Sequence, residues 1–100
     1  MSVFVMIRVP GDPDNLERYA NDNAAMMHRI SDEGKSAGAI HHVFTAGDGE
    51  IVVIDEWSDA ESFQRFFDNQ KEIPTLMKEA GATGAPQISI YRTLDTPDVF

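Results

Sequence analysis

The dipeptide Asp48-Gly49 constrains the fold of this chain more than any other feature of its sequence. Asp-Gly between two hydrophobic runs is a strong signal for a β-hairpin with a type I′ turn. The flanking runs, "AIHHVFTA" and "IVVIDEW", are rich in β-branched and aromatic residues, which favours strands. The chain is therefore expected to contain a tight antiparallel hairpin near its centre.

The hairpin turn also fixes which residues of the two strands lie opposite each other. A two-residue loop and a four-residue loop both place Gly47 opposite Glu50. Directly opposite residues share a face of the sheet, with Cβ atoms about 5 Å apart. The predicted pairs are Ile40 with Trp57, His41 with Glu56, His42 with Asp55, and Phe44 with Val53. Each of two adjacent histidines thus faces its own acid, and the two pairs lie on opposite faces.

Hydrophobic periodicity predicts the other elements. Asp12-Pro13 is typical of a helix start, and Gly34 or Gly38 is expected to end that first helix. The motif Ser58-x-x-Glu61 forms a capping box for a second helix. Pro74 is expected to kink or restart it. The predicted elements are strands at 3–9, 39–46, 51–57 and 87–94, and helices at 14–34 and 58–81.

The order β-α-β-β-α-β predicts an α+β, ferredoxin-like fold, with a four-stranded antiparallel sheet and helices on one face. Residues 1–94 are expected to form this single domain, followed by an acidic tail at 95–100. The first strand is apolar on both sides, with Phe4 and Met6 on one and Val5 and Ile7 on the other. A bare apolar face favours a homodimer that packs sheet against sheet.

Charge and composition exclude several classes of protein. The 100 residues carry 8 basic and 17 acidic side chains, a net charge of −9, and phosphate binding needs clustered cations. Nucleic acid is therefore not an expected partner. No apolar run is long enough to span a membrane. The absence of cysteine excludes thiolate chemistry and fits a cytoplasmic protein.

Two segments, "VFVMIRVPGDPDNLERY" and "VVIDEWSDAESFQRFF", resemble the antibiotic biosynthesis monooxygenase-like (ABM) branch of the dimeric α+β barrels. The resemblance extends over roughly residues 3–94. It implies that two protomers pair their sheets and that each keeps a pocket between sheet and helices. It also implies oxidation of a small aromatic or quinol-like substrate by dioxygen without a cofactor. Trp57 matches a pocket tryptophan of the family, whose oxygenases carry an asparagine four residues earlier, where this chain has Val53.

His42 and Asp55 are the leading catalytic candidates. A carboxylate can hold one imidazole nitrogen and leave the other as a base near neutral pH. The alternative is a structural cross-strand pair. Asn23 lies within an apolar helical stripe, where a buried amide needs a partner. It is expected to bind substrate, or else to bond the sheet or a water molecule.

Further candidates are aromatic or basic. An aromatic wall could bind a flat ligand, although such a stripe is more often simply core. Arg92 could neutralise a substrate anion or pair with a nearby acid. No metal is expected, because adjacent histidines on a strand point apart and no His-Glu-x-x-His motif is present. The aromatic candidates are Tyr19, Trp57, Phe63, Phe66 and Phe67.

Two functions remain open. The first is a cofactor-independent monooxygenase, or another proton-transfer enzyme, in which a His42–Asp55 dyad acts as base. The second is a non-catalytic dimeric module of the same fold that binds a small molecule or is purely structural.

Overall fold

The computed structural model describes residues 1–100. Its elements, in chain order, are β1 (Val3–Pro10), α1 (Pro13–Asp22), α2 (Ala24–Ala37), β2 (Ala39–Gly47), β3 (Glu50–Trp57), α3 (Ala60–Asn69), α4 (Ile73–Glu79) and β4 (Gln87–Arg92). The strands form one sheet in the order β2-β3-β1-β4, and all neighbours are antiparallel. The predicted ferredoxin-like α+β fold is confirmed, with each helical segment divided in two.

The central hairpin has the predicted register but not the predicted turn. Gly47 lies opposite Glu50, and the parity of the pairing continues along both strands to the histidines. Of the two central turn residues, Gly49 has a positive φ, 68°, whereas Asp48 does not. A type I′ turn needs positive φ at both central residues, so that prediction is wrong. The confirmed pairs are His41 with Glu56, His42 with Asp55, and Phe44 with Val53.

The β2–β3 pairing has one irregularity, between Ala39 and His41. Ala39, not Ile40, lies opposite Trp57, so the predicted Ile40–Trp57 pair is wrong. An extra residue on one strand is a β-bulge, which local counting from a distant turn does not reveal. The side chain of Ile40 is consequently outside the regular ladder and exposed.

The first helical segment breaks at Asn23. Its backbone (φ −125°, ψ 44°) is not helical, and its side-chain Nδ2 donates to the carbonyl oxygen of Tyr19 at 2.9 Å. Asparagine side chains compete in this way with the backbone bonds of a helix. Gly34 lies inside α2, and Gly38, with a φ of 123°, follows its last residue. The end at Gly38 is therefore the correct one of the two predicted.

The second helical segment begins one residue later than predicted. Asp59, not Ser58, is the N-cap of α3, and its carboxylate accepts the backbone N–H of Ser62 at 2.7 Å. Pro74 lies in the first turn of α4, where its missing N–H is not needed, as expected for a restarted helix. None of the helices has both the length and the apolar composition to cross a membrane.

The buried core lies between one face of the sheet and the helices. Apolar side chains of β1 and β3 meet apolar side chains of α1, α3 and α4 there. The opposite face of the sheet leaves Phe4, Val43 and Tyr91 exposed. The core residues are Val5, Ile7, Val9, Leu16, Ile51, Val53, Trp57, Phe63, Leu76 and Ala80.

Candidate functional site

The His42–Asp55 pair lies on the helix-covered face of the sheet. His42 Nδ1 is 2.7 Å from Asp55 Oδ1, and Trp57 Nε1 donates to Asp55 Oδ2 at 3.1 Å. Asp55 is the buried charged residue of the protein, 6% exposed, so its carboxylate is held by two ring nitrogens on neighbouring positions of the hairpin. The register of β2 on β3 produces this arrangement, because His42 and Asp55 are directly opposite.

The free nitrogen of His42 is Nε2, since Nδ1 is engaged by the carboxylate. The imidazole packs edge-to-face against Phe44, with ring centroids 4.7 Å apart and an interplanar angle of 86°. Its side chain is 44% exposed, so solvent or a ligand can reach it. A carboxylate at Nδ1 fixes the ring orientation and leaves Nε2 available to exchange a proton.

A cavity of about 450 Å³ lies between the sheet and helices α2, α3 and α4. Its volume is in the range of small-molecule sites, and its lining is mostly apolar, as such sites are. The dyad forms part of its wall. Of the predicted site residues, those that line it are His42, Asp55, Trp57, Phe63 and Phe67.

Aromatic rings form a continuous layer along this wall. Trp57 packs against Phe63 and Phe66, with centroids 5.6 and 5.3 Å apart, and Phe63 stacks on Phe67 at 5.6 Å and 28°. Trp57 and Phe63 are fully buried, whereas Phe66 and Phe67 are half-buried. Trp57 and Phe63 therefore belong to the core, and Phe66 and Phe67 form the part of the layer that faces the cavity.

Three predicted substrate-binding residues lie outside the cavity lining. Asn23 caps the junction of α1 and α2, and Tyr19 supplies the carbonyl that its amide bonds. Arg92 ends β4 opposite Val3 and is exposed. The structure therefore does not bring these side chains together with the dyad.

Sequence reasoning missed the contribution of α2 to the cavity. Met27, Ile30 and Gly34 supply apolar wall, while His28 and Lys35 lie along its edge. His28 and Lys35 are seven residues apart, which places them on one side of the helix, but nothing in the sequence indicates that this side borders a cavity. His28 is exposed and also borders the cavity.

The second histidine–acid pair lies on the other face of the sheet. His41 Nε2 is 3.9 Å from Glu56 Oε1, and Glu56 Oε2 also accepts the hydroxyl of Ser2 at 2.6 Å. The two pairs are thus separated by the sheet. No group of three or more His, Cys, Asp or Glu side chains in the structure is arranged to hold a metal ion.

No protein-family model matches the chain, and no curated sequence matches it either. Solved structures do match. Over 98% of its length the chain is similar to SnoaB, a cofactor-independent oxygenase from Streptomyces nogalater, with 98% of that chain covered, a TM-score of 0.62 and 17% identity.

A conserved protein from Methanosarcina mazei Go1 matches with a TM-score of 0.66 and 19% identity, over 94% of each chain. A structure described as an antibiotic biosynthesis monooxygenase matches with a TM-score of 0.63 and 9% identity, over 93% of this chain and 99% of that one. At these identities the likeness is one of fold. The fold is that of the ABM-like proteins, as the sequence resemblance implied.

Proposed function

We propose that this protein is a cofactor-independent monooxygenase that acts on a small aromatic or quinol-like substrate. The observation that carries the proposal is a buried carboxylate that orients an accessible imidazole at the wall of an aromatic cavity. The fold that the chain shares with SnoaB, an oxygenase that needs no cofactor, supports the same function.

In the proposed reaction, His42 Nε2 removes a proton from a phenol or from a carbon next to a carbonyl. The resulting anion is electron-rich enough to reduce dioxygen, and a carbon–oxygen bond forms as the electrons move to oxygen. The imidazolium returns its proton to give a hydroperoxide. Elimination of water then leaves one oxygen atom in the product carbonyl and the other in water.

Asp55 stabilises the protonated imidazole in this scheme and fixes the orientation of the His42 ring. Its second oxygen is held by Trp57, so the carboxylate cannot rotate without breaking that bond. The aromatic layer excludes water from the anion and orients a flat ring. Val53 stands where the family's oxygenases carry an asparagine, so in this scheme the protonated imidazole of His42 stabilises the substrate anion.

Dioxygen uptake with a panel of naphthols and anthrones tests the proposal. His42→Ala should lower kcat/KM by about 100-fold or more, the usual contribution of a positioned general base. His41→Ala is the matched control: it removes the adjacent histidine, whose imidazole pairs with Glu56 on the other face, and should leave the rate unchanged.

Equal rates in wild type and His42→Ala would overturn the role of the dyad. Binding of the aromatic compounds without any dioxygen uptake would instead support the non-catalytic binding module. Asp55→Asn separates the effect of charge from the effect of size, since it keeps the size of the side chain and removes its charge. This variant should have a lower kcat, with a smaller change in KM.

We also propose that the chain forms a homodimer through the outer face of the sheet. Phe4, Val43 and Tyr91 are exposed there, and Met6 and Ile54 are half-buried beside them. Apolar side chains on a sheet face of this kind are typical of an interface. A second copy would cover them by two-fold symmetry.

Light scattering on a size-exclusion column tests this assembly. Wild type should elute with twice the mass of one chain, 11.1 kDa, and Val43→Asp should shift it toward the monomer. The matched control is Ala46→Asp, an exposed position on the opposite face of the same strand. A wild-type monomer at micromolar concentration would contradict the proposal.

A further inference from the structure

The charges that border the cavity differ from those of the protein as a whole. The chain has 17 acidic and 8 basic side chains, yet Asp55 is the one acidic residue of the lining. Both oxygens of Asp55 are occupied by ring nitrogens. The remaining ionisable residues of the lining are His28, Lys35, His41 and His42. A ligand in this cavity therefore meets basic groups in an otherwise acidic protein.

Lys35 is the permanent cation among them. It lies in the last turn of α2, and its side chain is 69% exposed. Its nearest carboxylate, Asp32 Oδ1, is 4.0 Å away and exposed, and such surface pairs hold their partners weakly. Arg29, six residues earlier on the same helix, is instead paired with Glu72. The ammonium group of Lys35 is thus free to turn toward a bound ligand.

His28 extends the same edge of the cavity. It lies seven residues, about two helical turns, before Lys35, so both side chains project from one side of α2. The imidazole of His41 is directed at Glu56 on the other face of the sheet, and it does not add to this edge. The basic edge is therefore formed by α2, whereas the His42 dyad lies on β2 and β3.

We propose that the natural ligand of this cavity is an aromatic acid, with Lys35 as the residue that selects for its charge. The flat ring packs on Phe66 and Phe67, the half-buried rings of the aromatic layer, and a carboxylate on the ring reaches the α2 edge. The net charge of −9 disfavours the binding of an anion, and a cation at the α2 edge of the cavity offsets this repulsion locally. The inference rests on the proposed site but not on its chemistry.

Equilibrium binding tests this selectivity without turnover. Isothermal titration calorimetry would compare 3-hydroxy-2-naphthoate with its methyl ester, which has the same ring and no charge. Wild type should bind the acid more tightly than the ester. Lys35→Met should weaken binding of the acid by about 1.5-fold to fivefold, the range for one exposed ion pair, and leave binding of the ester unchanged.

Two further variants sharpen the comparison. Lys35→Glu places a negative charge, like that of the ligand, at the same position. It should weaken binding of the acid more than Lys35→Met does. Lys78→Met removes an exposed lysine of α4 that does not border the cavity, and it should bind both compounds as wild type does. Lys35 and Lys78 are both exposed, so neither change should impair folding.

Three results would overturn the inference: tighter binding of the ester by wild type, equal losses for acid and ester in Lys35→Met, or no binding of either compound at millimolar concentration. The proposed oxygenase function fails separately. If the acid binds selectively through Lys35 but is never oxidised, the ligand class stands and the reaction does not.

Discussion

Removal of the Asp55 carboxylate should destabilise the protein through two side chains at once. Asp55 accepts from His42 Nδ1 at 2.7 Å and from Trp57 Nε1 at 3.1 Å. In Asp55→Ala the indole N–H loses its partner, and Trp57 is only 2% exposed, so water cannot readily replace the carboxylate. An unpaired buried donor costs about 1–3 kcal/mol.

The contribution of the His42 bond is smaller, because 44% of that side chain is exposed and water can take the place of Asp55. A hydrogen bond of this kind contributes about 0.5–1.5 kcal/mol. Burial of the carboxylate is itself unfavourable, and the alanine variant is relieved of it. Together these effects predict a loss of about 2–3 kcal/mol in the free energy of unfolding.

Urea unfolding followed by far-UV circular dichroism measures this loss. All variants should be compared at one protein concentration, since self-association raises apparent stability. A double-mutant cycle isolates the indole bond: in a Trp57→Phe background no N–H is left unpaired, so Asp55→Ala should cost about 1–2 kcal/mol less. The same cycle with His42→Ala should give a coupling of about 0.5–1 kcal/mol.

Equal losses from Asp55→Ala in the wild-type and Trp57→Phe backgrounds would refute this reasoning, because the orphaned indole is its largest contribution. A total loss below about 0.5 kcal/mol would do the same, since surface substitutions typically stay within that range. Asp95→Ala, at an exposed position of the tail, is the control for removing an aspartate and should leave the free energy of unfolding unchanged.

Two glycines near the end of α2 should respond in opposite ways to alanine. Gly34→Ala should raise the free energy of unfolding by about 0.5–1 kcal/mol, since the position is helical. A Cβ there would meet its nearest neighbours at an ordinary 3.7 Å. Gly38→Ala should lower it, because φ is 123° and a Cβ would lie 2.6 Å from Ser58 Oγ; urea unfolding measures both. Asp59→Ala should weaken α3 in a pH-dependent way, because the backbone N–H of Ser62 holds the pKa of Asp59 below its ordinary value of 3.8. The ionised form is the stabilising one, so its contribution is complete above that value and disappears as the pH falls through the lowered pKa. Thermal melts of wild type and Asp59→Ala between about pH 2 and pH 7 follow this loss.

Each of these has a control or a contradicting result. A less stable Gly34→Ala would mean that the space beside α2 is tighter than the contact distances indicate. Asp95→Ala removes an exposed aspartate of the tail and should not alter the melting temperature with pH as Asp59→Ala does. A difference between wild type and Asp59→Ala that stays constant down to pH 2 would contradict the capping argument.

The pairing of His42 with Asp55 could be predicted because it depends on local features alone. A two-residue loop sets parity, strands alternate faces, and the count from Gly47 to His42 crosses no irregularity. The same count fails at Ile40, because the bulge adds a residue to β2 that the turn does not determine. Sequence pattern carries no sign of it.

The break at Asn23 could not be predicted for a related reason. The apolar stripe runs on across it, so periodicity indicates one helix. Whether an asparagine amide lines a pocket or bonds the carbonyl four residues earlier is decided by packing around it. Here the amide of Asn23 bonds the carbonyl of Tyr19, so this side chain helps to end α1.

The openness of the cavity was beyond prediction as well. Phe63 and Phe66 belong to the same helix stripe, yet Phe63 is sealed in the core while Phe66 is half-buried at the cavity. The distance between α3 and the sheet decides which ring packs in the core and which ring borders the cavity. That distance follows from the sum of many contacts rather than from any one position.

The bulge gives the hairpin a residue that can be removed. Ala39 faces Trp57 and His41 faces Glu56, so Ile40 is surplus to the ladder. Excision of Ile40 would leave consecutive partners aligned and every later side chain on the side it already occupies. Because Ile40 lines the cavity, its loss would change the cavity wall while His42 and Asp55 stay opposite each other. The bulge is therefore a position at which the cavity can be altered without moving the dyad.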